Sequence, residues 1–299
     1  MRLAEDQIRR ALLHKHEEIR YTAVSWYSEG FSTDESIMPI VLDSVERYGT
    51  GKSWRMMREA QWLVQTEATV DGLIAFLARP YLRTAIEDNF RFAAALALCR
   101  APVGHLVRRT SDIARLPSFP EVLRPAIEDQ ILLVSANRKE ALAALVQLAE
   151  KTFRCRRWNR IDILRADGIV EALAAYGKEL GPAVLALLQR RKNRRLVEWM
   201  EPFLVRLAAR MRLVRAIPLL VSRLESEDWD LGDDAALALA QIGTPEVVEL
   251  VIERWTGAGR RFRLRACDVF ERIHSDRCVE FCMQQIADAR EDALVRIFL

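Results

Sequence analysis

The apolar positions of the chain recur at helical spacing along almost its whole length. Ile217, Leu220, Val221 and Leu224 are separated by three, one and three residues, which places them on one face of an α-helix. No segment of the sequence shows the sustained apolar–polar alternation that is typical of a strand. Polar or Gly/Pro-containing gaps separate short helices that come in pairs. The pattern predicts an all-α protein with an internal repeat.

The C-terminal third of the sequence repeats with a period of about 30 residues. A shift of 30 residues aligns Ile217 with Val247, and a shift of 31 residues aligns Val247 with Cys278. In the second helices, Ala235 aligns with Ala266. Small residues allow neighbouring helices to approach closely, and a unit this short cannot bury its apolar face alone. We therefore expect stacked repeats with one continuous core.

The segment AIPLLVSRLESEDWDLGDDAALALAQIG resembles the repeats of the bilin-lyase-type HEAT family, which carry an Ala-Ala-x-Ala-Leu stretch and a final Ile-Gly. That family places an Arg shortly before the small residues of the second helix. Arg20, Arg91 and Arg263 match this position, and Gly232 replaces the Arg in the most regular repeat. The resemblance implies a right-handed α-α superhelix of about eight to nine HEAT-like helix pairs.

The sequence also predicts how this superhelix is organised along the chain. No stretch has the composition of a flexible linker, so we expect residues 1–299 to form a single HEAT-like solenoid. Its most regular repeats lie in 213–299 and its least regular stretch in 103–125. Ile297, Phe298 and Leu299 either pack back on the neighbouring helix as a cap or stay exposed, and the sequence leaves both alternatives open.

Composition restricts the class of protein further. The 299 residues include only 12 Gly and 10 Pro, too few for the many turns of an all-β sandwich or for Gly-rich phosphate loops. The longest apolar runs fall well short of the ~18 residues that span a bilayer, and the start MRLAEDQIRR lacks the apolar stretch of a signal peptide. Five cysteines without a CxxC pair favour a reducing compartment. We expect a cytoplasmic protein with no membrane contact.

A cysteine and histidine cluster near the C-terminus is the sharpest metal candidate. His274, Cys278 and Cys282 are spaced four apart, with Cys267 near them in sequence, and zinc accepts such ligands. The repeat alignment, however, places Cys267 and Cys278 on core positions, where free Cys acts as a small apolar residue. We therefore predict core packing, with no metal and no cofactor.

Two histidines near the N-terminus are a weaker candidate. His14 and His16, in LHKHEE, resemble a metal pair or the His-Glu dyad of iron hydroxylases built from HEAT repeats. Those enzymes need several dyads, and this chain has one. We predict a surface turn between two helices.

Sequence motifs of common enzymes are absent. The chain contains no GxSxG, Walker-type, HExxH or GxGxxG motif. Some bilin lyases and some DNA glycosylases are built from HEAT-like repeats, but no residue matches a catalytic residue of either. We predict no catalytic residue and a non-enzymatic chain, with a bilin-lyase-like enzyme as the second alternative.

The formal net charge of +3 results from two opposed blocks. Residues 154–215 contain 15 basic and 6 acidic side chains, whereas residues 225–253 contain 9 acidic side chains and no basic one. Arginines of the first block, and others later in the chain, cluster between the helices of successive repeats, often beside Trp. Since equivalent loops of a solenoid stack along one edge, these clusters predict a basic ridge. The predicted binding residues are Arg156, Arg157, Trp158, Arg160, Arg191, Lys192, Arg194, Arg195, Trp199, Arg260 and Arg261.

The predicted function is a scaffold that binds a protein or peptide, extended or acidic, on the concave second-helix face or on the basic inter-helix edge. The alternative is nucleic-acid (DNA) binding on the same edge, remotely similar to the HEAT-repeat DNA glycosylases, because Arg with interleaved Trp suits phosphate contacts and base stacking. The acidic block falls on this edge, where it would repel nucleic acid or pair with neighbouring arginines. The sequence leaves the identity of the partner and the oligomeric state open.

Overall fold

A computed structural model describes residues 4–80, 84–117, 119–155, 163–189 and 194–299. Within these ranges the regular structure is entirely helical, with nineteen α-helices, short 3-10 segments and no strand. The all-α prediction is confirmed. Among the described helices, none combines the length and the apolar content that crossing a membrane requires.

The chain divides into two compact units, which are described separately. Unit 1 comprises Met1–Asn137 and Ile163–Ala175, and unit 2 comprises Arg138–Asp162 and Tyr176–Leu299. The helices of unit 1 are α1 (Glu5–Ala11), α2 (Glu17–Glu29), α3 (Ile37–Tyr48), α4 (Trp54–Glu59), α5 (Glu67–Ala78), α6 (Ala85–Cys99), α7 (Val103–Arg108), α8 (Thr110–Ala114), α9 (Arg124–Ser135) and α11 (Ile163–Ala174). The helices of unit 2 are α10 (Arg138–Cys155), α12 (Gly181–Gln189), α13 (Arg194–Arg210), α14 (Ile217–Arg223), α15 (Trp229–Ile242), α16 (Pro245–Trp255), α17 (Arg260–Arg272), α18 (Asp276–Ala287) and α19 (Ala293–Phe298).

Unit 1 contains two rows of helices. In one row α4 packs between α2 and α6, and in the other α5 packs between α3 and α7, with α5 and α6 joining the rows. The small residues predicted to allow close approach, Ala93, Ala94 and Ala97 of α6, are buried. Helix α11 packs so tightly on α9 that a Cβ atom at Gly168 would lie 2.6 Å from the carbonyl oxygen of Ala126, so only glycine fits there without a backbone shift.

Unit 2 also contains two rows. Helices α13, α15, α17 and α19 pack in sequence in one row, and α14, α16 and α18 pack in sequence in the other. The N-caps of α16 and α18 are Thr244 and Ser275, and those of α15 and α17 are Asp228 and Gly259. Both helices of one pair are thus repeated 31 residues later, which is the spacing that the apolar positions predict.

A fully buried arginine, Arg20, holds the loop that precedes α2. Its guanidinium donates to the carbonyl oxygens of His14 at 2.9 Å and Lys15 at 3.2 Å, and to that of Lys52 at 2.6 Å. The group also lies 4.2 Å from the centre of the Tyr48 ring. Loop carbonyls cut off from water need donors, so this one side chain satisfies three of them at once.

Arg91 of α6 acts in the same way on the loop between α5 and α6. It is buried and donates to the carbonyl oxygens of Leu77 at 2.8 Å, Arg79 at 2.7 Å and Pro80 at 3.2 Å. Its Nε also donates to Glu87 at 3.1 Å, which supplies a buried countercharge. The family-like arginines predicted at positions 20 and 91 are therefore structural.

In unit 2 the loop that precedes α15 is held by an arginine of the next helix of the row, because Gly232 stands at the position that corresponds to Arg20. Arg265 of α17 donates to the carbonyl oxygens of Leu224 at 3.1 Å, Ser226 at 2.8 Å and Asp228 at 3.2 Å, which precede α15. A Cβ atom at Gly232 would lie 1.8 Å from Cζ of Arg265, so the glycine leaves the space that this guanidinium occupies. Arg263, which matches the family position in α17 itself, pairs with Glu291.

Candidate interaction surface

The structure describes only part of the predicted basic ridge. Six predicted residues lie outside the described residues: Arg156, Arg157, Trp158, Arg160, Arg191 and Lys192. Arg194, Arg195 and Trp199 belong to α13, but their side chains are outside the description. Arg260 and Arg261 are exposed in the first turn of α17. The ridge as a whole remains a prediction.

Two helices of one row begin with paired arginines. Helix α13 begins at Arg194–Arg195 and α17 at Arg260–Arg261, and neither helix has an acidic residue in its first turn. The N-terminus of a helix carries a partial positive charge, so arginine there opposes the dipole and an acidic side chain is favoured. These two basic starts therefore run against local helix stability.

Three other helices of the chain have acidic residues in the first turn, as the dipole favours. Helix α2 begins with Glu17 and Glu18, α6 has Glu87 in its first turn, and α15 has Asp230. The last of these packs between α13 and α17. An acidic helix start thus lies in the row between two basic ones, which sets α13 and α17 apart from their neighbour.

The arginines at the start of α17 have different surroundings. Nε of Arg260 lies 3.6 Å from a carboxylate oxygen of Asp292, and both side chains are largely exposed, so this pair is weak. Arg263 is more tightly held, since it donates to both oxygens of the buried Glu291, at 2.8 and 3.0 Å. The indole of Trp255 donates to the same carboxylate at 3.1 Å. Arg263 is thus structural, while Arg260 and Arg261 present charge to solvent.

The acidic block contacts arginines in its own unit. Asp233 pairs with Arg265 and Asp234 with Arg206, and the side chain of Asp228 caps α15 by accepting from the backbone of Leu231. A further pair joins Glu225 to Arg254 at 3.4 Å. Of the two alternatives for this block, pairing with arginines is confirmed for Asp233, Asp234 and Glu225.

The carboxyl group of Asp268, near these ion pairs, has a raised pKa. Burial raises the pKa of Asp268 in α17, and the nearby carboxylates of Asp233 and Glu271 raise it further. The guanidinium groups of Arg272 and Arg265 lower the pKa without cancelling the effect of burial. Asp268 therefore holds its proton more tightly than an exposed aspartate.

The cysteine cluster lies in the core, as the repeat alignment predicts. Cys99, Cys267 and Cys278 are buried and Cys282 is half-buried. Burial raises the pKa of the Cys267 thiol to about 12 and that of Cys282 to about 11, so both thiols are protonated and unreactive at neutral pH. His274 is exposed.

Metal-ligand geometry was also predicted to be absent from this region. Across the described ranges, no group of three or more His, Cys, Asp or Glu side chains has the arrangement of a metal site. Near the N-terminus, His14 and His16 lie beside each other with ring centres 5.3 Å apart, in the turn between α1 and α2. The surface-turn prediction is confirmed for this pair.

Sequence reasoning missed an exposed apolar stripe on α18. Val279, Met283 and Ile286 are 54, 61 and 38% exposed, although they have the spacing of a buried helix face. In α19, Val295 is buried while Ile297 and Phe298 are 76 and 58% exposed. The i, i+4, i+7 spacing is visible in the sequence, but the repeat alignment assigns such positions to the core.

Comparisons with known proteins add little to this description. No family model matches the chain, and no curated protein matches it. A crystal structure of an engineered protein aligns with 98% of this chain and 86% of its own, at 12% identity and a TM-score of 0.30. A likeness at this level carries no argument about fold or function.

Proposed function

We propose that the chain is a non-enzymatic scaffold, an α-solenoid of HEAT-like repeats that binds an acidic segment of a partner protein. The 31-residue register of α15–α16 with α17–α18 and the buried arginines under the inter-helix loops support the repeat assignment. Repeat stacks of this kind offer extended surfaces to extended partners.

The observation that carries the binding proposal is the pair of basic helix starts at α13 and α17. The exposed Arg260 and Arg261 oppose the dipole of α17 and so cost stability, and such local conflicts are typical of functional positions. At the start of a helix, the free backbone N–H groups can bind an anion, and guanidinium groups placed there can donate to the same anion. A carboxylate bound there would relieve the repulsion between Arg260, Arg261 and the helix dipole.

The arrangement favours an acidic protein segment over nucleic acid. Helix α15, which packs between the two basic helices, presents Asp230 in its first turn. A phosphate backbone has one charge at every nucleotide and would meet this carboxylate, whereas a peptide can place its acids only at the arginines.

The test compares a charge-reversed variant with the unmodified chain. The double substitution Arg260→Glu and Arg261→Glu should weaken binding of a fluorescent Glu/Asp-rich peptide by about tenfold or more in an anisotropy titration. Arg215→Glu, at an exposed position of the same unit, is the matched control and should leave the affinity nearly unchanged.

Salt titrations against short duplex and single-stranded DNA distinguish the alternative function. If DNA binds more tightly than the peptide, with a steep salt dependence that the double substitution reduces, the protein is a nucleic-acid-binding protein. If neither probe binds at low salt, the proposed surface is wrong.

A further inference from the structure

The outer side of α18 carries the apolar stripe of Val279, Met283 and Ile286, which no helix in the described part of the chain covers. Arg277 marks the side of this helix that faces α16, because it pairs with Glu249 of α16, with Nε 2.9 Å from the carboxylate. At 3.6 residues per turn, the stripe lies roughly 180–240° around the helix from Arg277. The stripe therefore faces away from α16, on the side where another helix of this row would pack.

The preceding helix of the row shows what covers such a stripe. A shift of 31 residues, the spacing of the N-caps Thr244 and Ser275, places Val279 on Val248 and Ile286 on Trp255. Both of these α16 residues are buried, and the Trp255 ring lies 5.3 Å from that of Phe281 in α18. In α16 this stripe is thus part of the interface with the next helix, and in α18 it is exposed.

The charges beside the two stripes correspond as well. In α16, Glu249 flanks the stripe and pairs with Arg277, which lies in the first turn of the incoming helix. The same shift places the exposed Glu280 of α18 at the position of Glu249. A helix that packs on α18 as α18 packs on α16 would bring a cation to Glu280.

We propose that α18 is the docking site for an amphipathic α-helix of another polypeptide, with an arginine or lysine in its first turn and apolar residues at i, i+3 or i+4, and i+7. Its apolar face covers Met283 and its neighbours, and its cation pairs with Glu280.

A second copy of this chain fits the stripe less well. Helix α1 of a second copy would not cover the stripe, because it exposes Glu5, Asp6 and Gln7 rather than apolar side chains. In a contact between two α18 helices, the only cation of the helix is Arg277, which is already paired. A second α18 would therefore bring to Glu280 only a cation that Glu249 already holds, so a different helix is the better complement.

The probe is a synthetic peptide of residues 275–288 with valine in place of both cysteines, because α18 itself is the helix that covers the equivalent stripe of α16. A second peptide carries the Arg277→Glu change. The full-length chain should bind the first peptide about tenfold more tightly than the second in an anisotropy titration. The Glu280→Arg variant should reverse this preference, which non-specific apolar adhesion would not do.

Met283→Glu tests the apolar part of the site and should abolish binding of both peptides. Because Met283 is exposed, the thermal unfolding midpoint of the Met283→Glu variant should equal that of the unmodified chain. This measurement separates loss of binding from loss of fold. Leu132→Glu, at an exposed apolar position of α9, is the matched control and should bind as the unmodified chain does.

Three results would overturn the proposal. The first is equal affinity for both peptides in the unmodified chain and in Glu280→Arg. The second is no binding of the first peptide at any concentration tested. The third is a dimer in sedimentation that Met283→Glu converts to a monomer, which would assign the stripe to a second copy. The charge reversal at Arg260 and Arg261 is a separate experiment, so either surface can fail without the other.

Discussion

The loops that precede α2 and α15 both have carbonyl oxygens that accept hydrogen bonds from a guanidinium. The arginine belongs to α2 itself in the first case and to α17 in the second. In unit 1, Arg20 of α2 donates to the carbonyl oxygen of His14, six residues before it. In unit 2 the carbonyl six residues before Gly232 is that of Ser226, and it accepts from Arg265 of α17 at 2.8 Å. The equivalent carbonyl is satisfied by a guanidinium in both places.

This difference shows that the loop carbonyls need a guanidinium donor at this place. They do not need it to come from one particular residue. Arg20 belongs to the helix that follows the loop, and it also donates to the carbonyl oxygen of Lys52. Arg265 belongs to the next helix of the row and extends back to the loop before α15. A long, flexible side chain with five donors makes such an exchange possible, provided that a glycine leaves room for it. The repeat can therefore lose its usual arginine and keep its fold.

Removing either guanidinium should have the largest effect. Arg20→Met and Arg265→Met should each lower the free energy of unfolding by about 3 kcal/mol, because each leaves buried carbonyls without donors. Urea denaturation followed by circular dichroism measures this loss. Arg10→Met, which removes only an exposed arginine, is the control and should change little. Comparable losses at positions 20 and 265 would support their equivalence, and a large loss at only one would contradict it.

A smaller effect is expected from filling the space beside Arg265. Gly232→Ala should destabilise the chain by about 2 kcal/mol, since the new Cβ displaces a guanidinium held by three carbonyls. In the Arg265→Met background the same change should cost much less, because the obstructing group is gone. A double-mutant cycle in urea measures this coupling. Additive losses would show that the two residues do not share the space.

Moving the arginine back to its usual helix should restore most of the lost stability. The double variant Gly232→Arg with Arg265→Ala should unfold within about 1 kcal/mol of the unmodified chain, since position 232 corresponds to Arg20. Arg265→Ala alone is the reference. If the double variant is no more stable than this reference, the loop of unit 2 does not accept a guanidinium from α15.

The sequence predicts the helical class and the 31-residue register, because both follow from the spacing of apolar residues. It identifies Gly232 as the position without an arginine but does not predict the contact made by Arg265, because that contact depends on the space at Gly232. Local pattern identifies a helix but not the reach of a long side chain into the preceding repeat.

The candidate surfaces were predictable to different degrees. The paired arginines at positions 260 and 261 are visible in the sequence, but their conflict with the helix dipole requires the start of α17. The stripe on α18 has the same spacing as the buried positions of α16, so the sequence cannot separate the two. Only the arrangement of the row shows which of these helices has a neighbour.

The position of Arg265 in α17 also affects the carboxyl groups around it, and Asp268 offers the mildest test. Burial raises its pKa in the folded chain, with Asp233 contributing in the same direction. The folded state therefore binds the proton more tightly than the unfolded state, and this residue costs stability once the pH exceeds the usual aspartate value of 3.8. The cost grows until the pH passes the raised pKa and is constant above it.

Asp268→Asn removes this cost, so the variant should be more stable than the unmodified chain at pH 7 and lose that advantage as the pH falls toward 4. Urea midpoints at several pH values measure the difference. Asp43→Asn, at an exposed position of α3, controls for the loss of one carboxylate. A pH-independent difference would mean that the amide acts through packing. A destabilised variant at pH 7 would mean that the attraction of Arg272 and Arg265 outweighs burial, and that the arginine of α17 stabilises its own helix as well as the loop before α15.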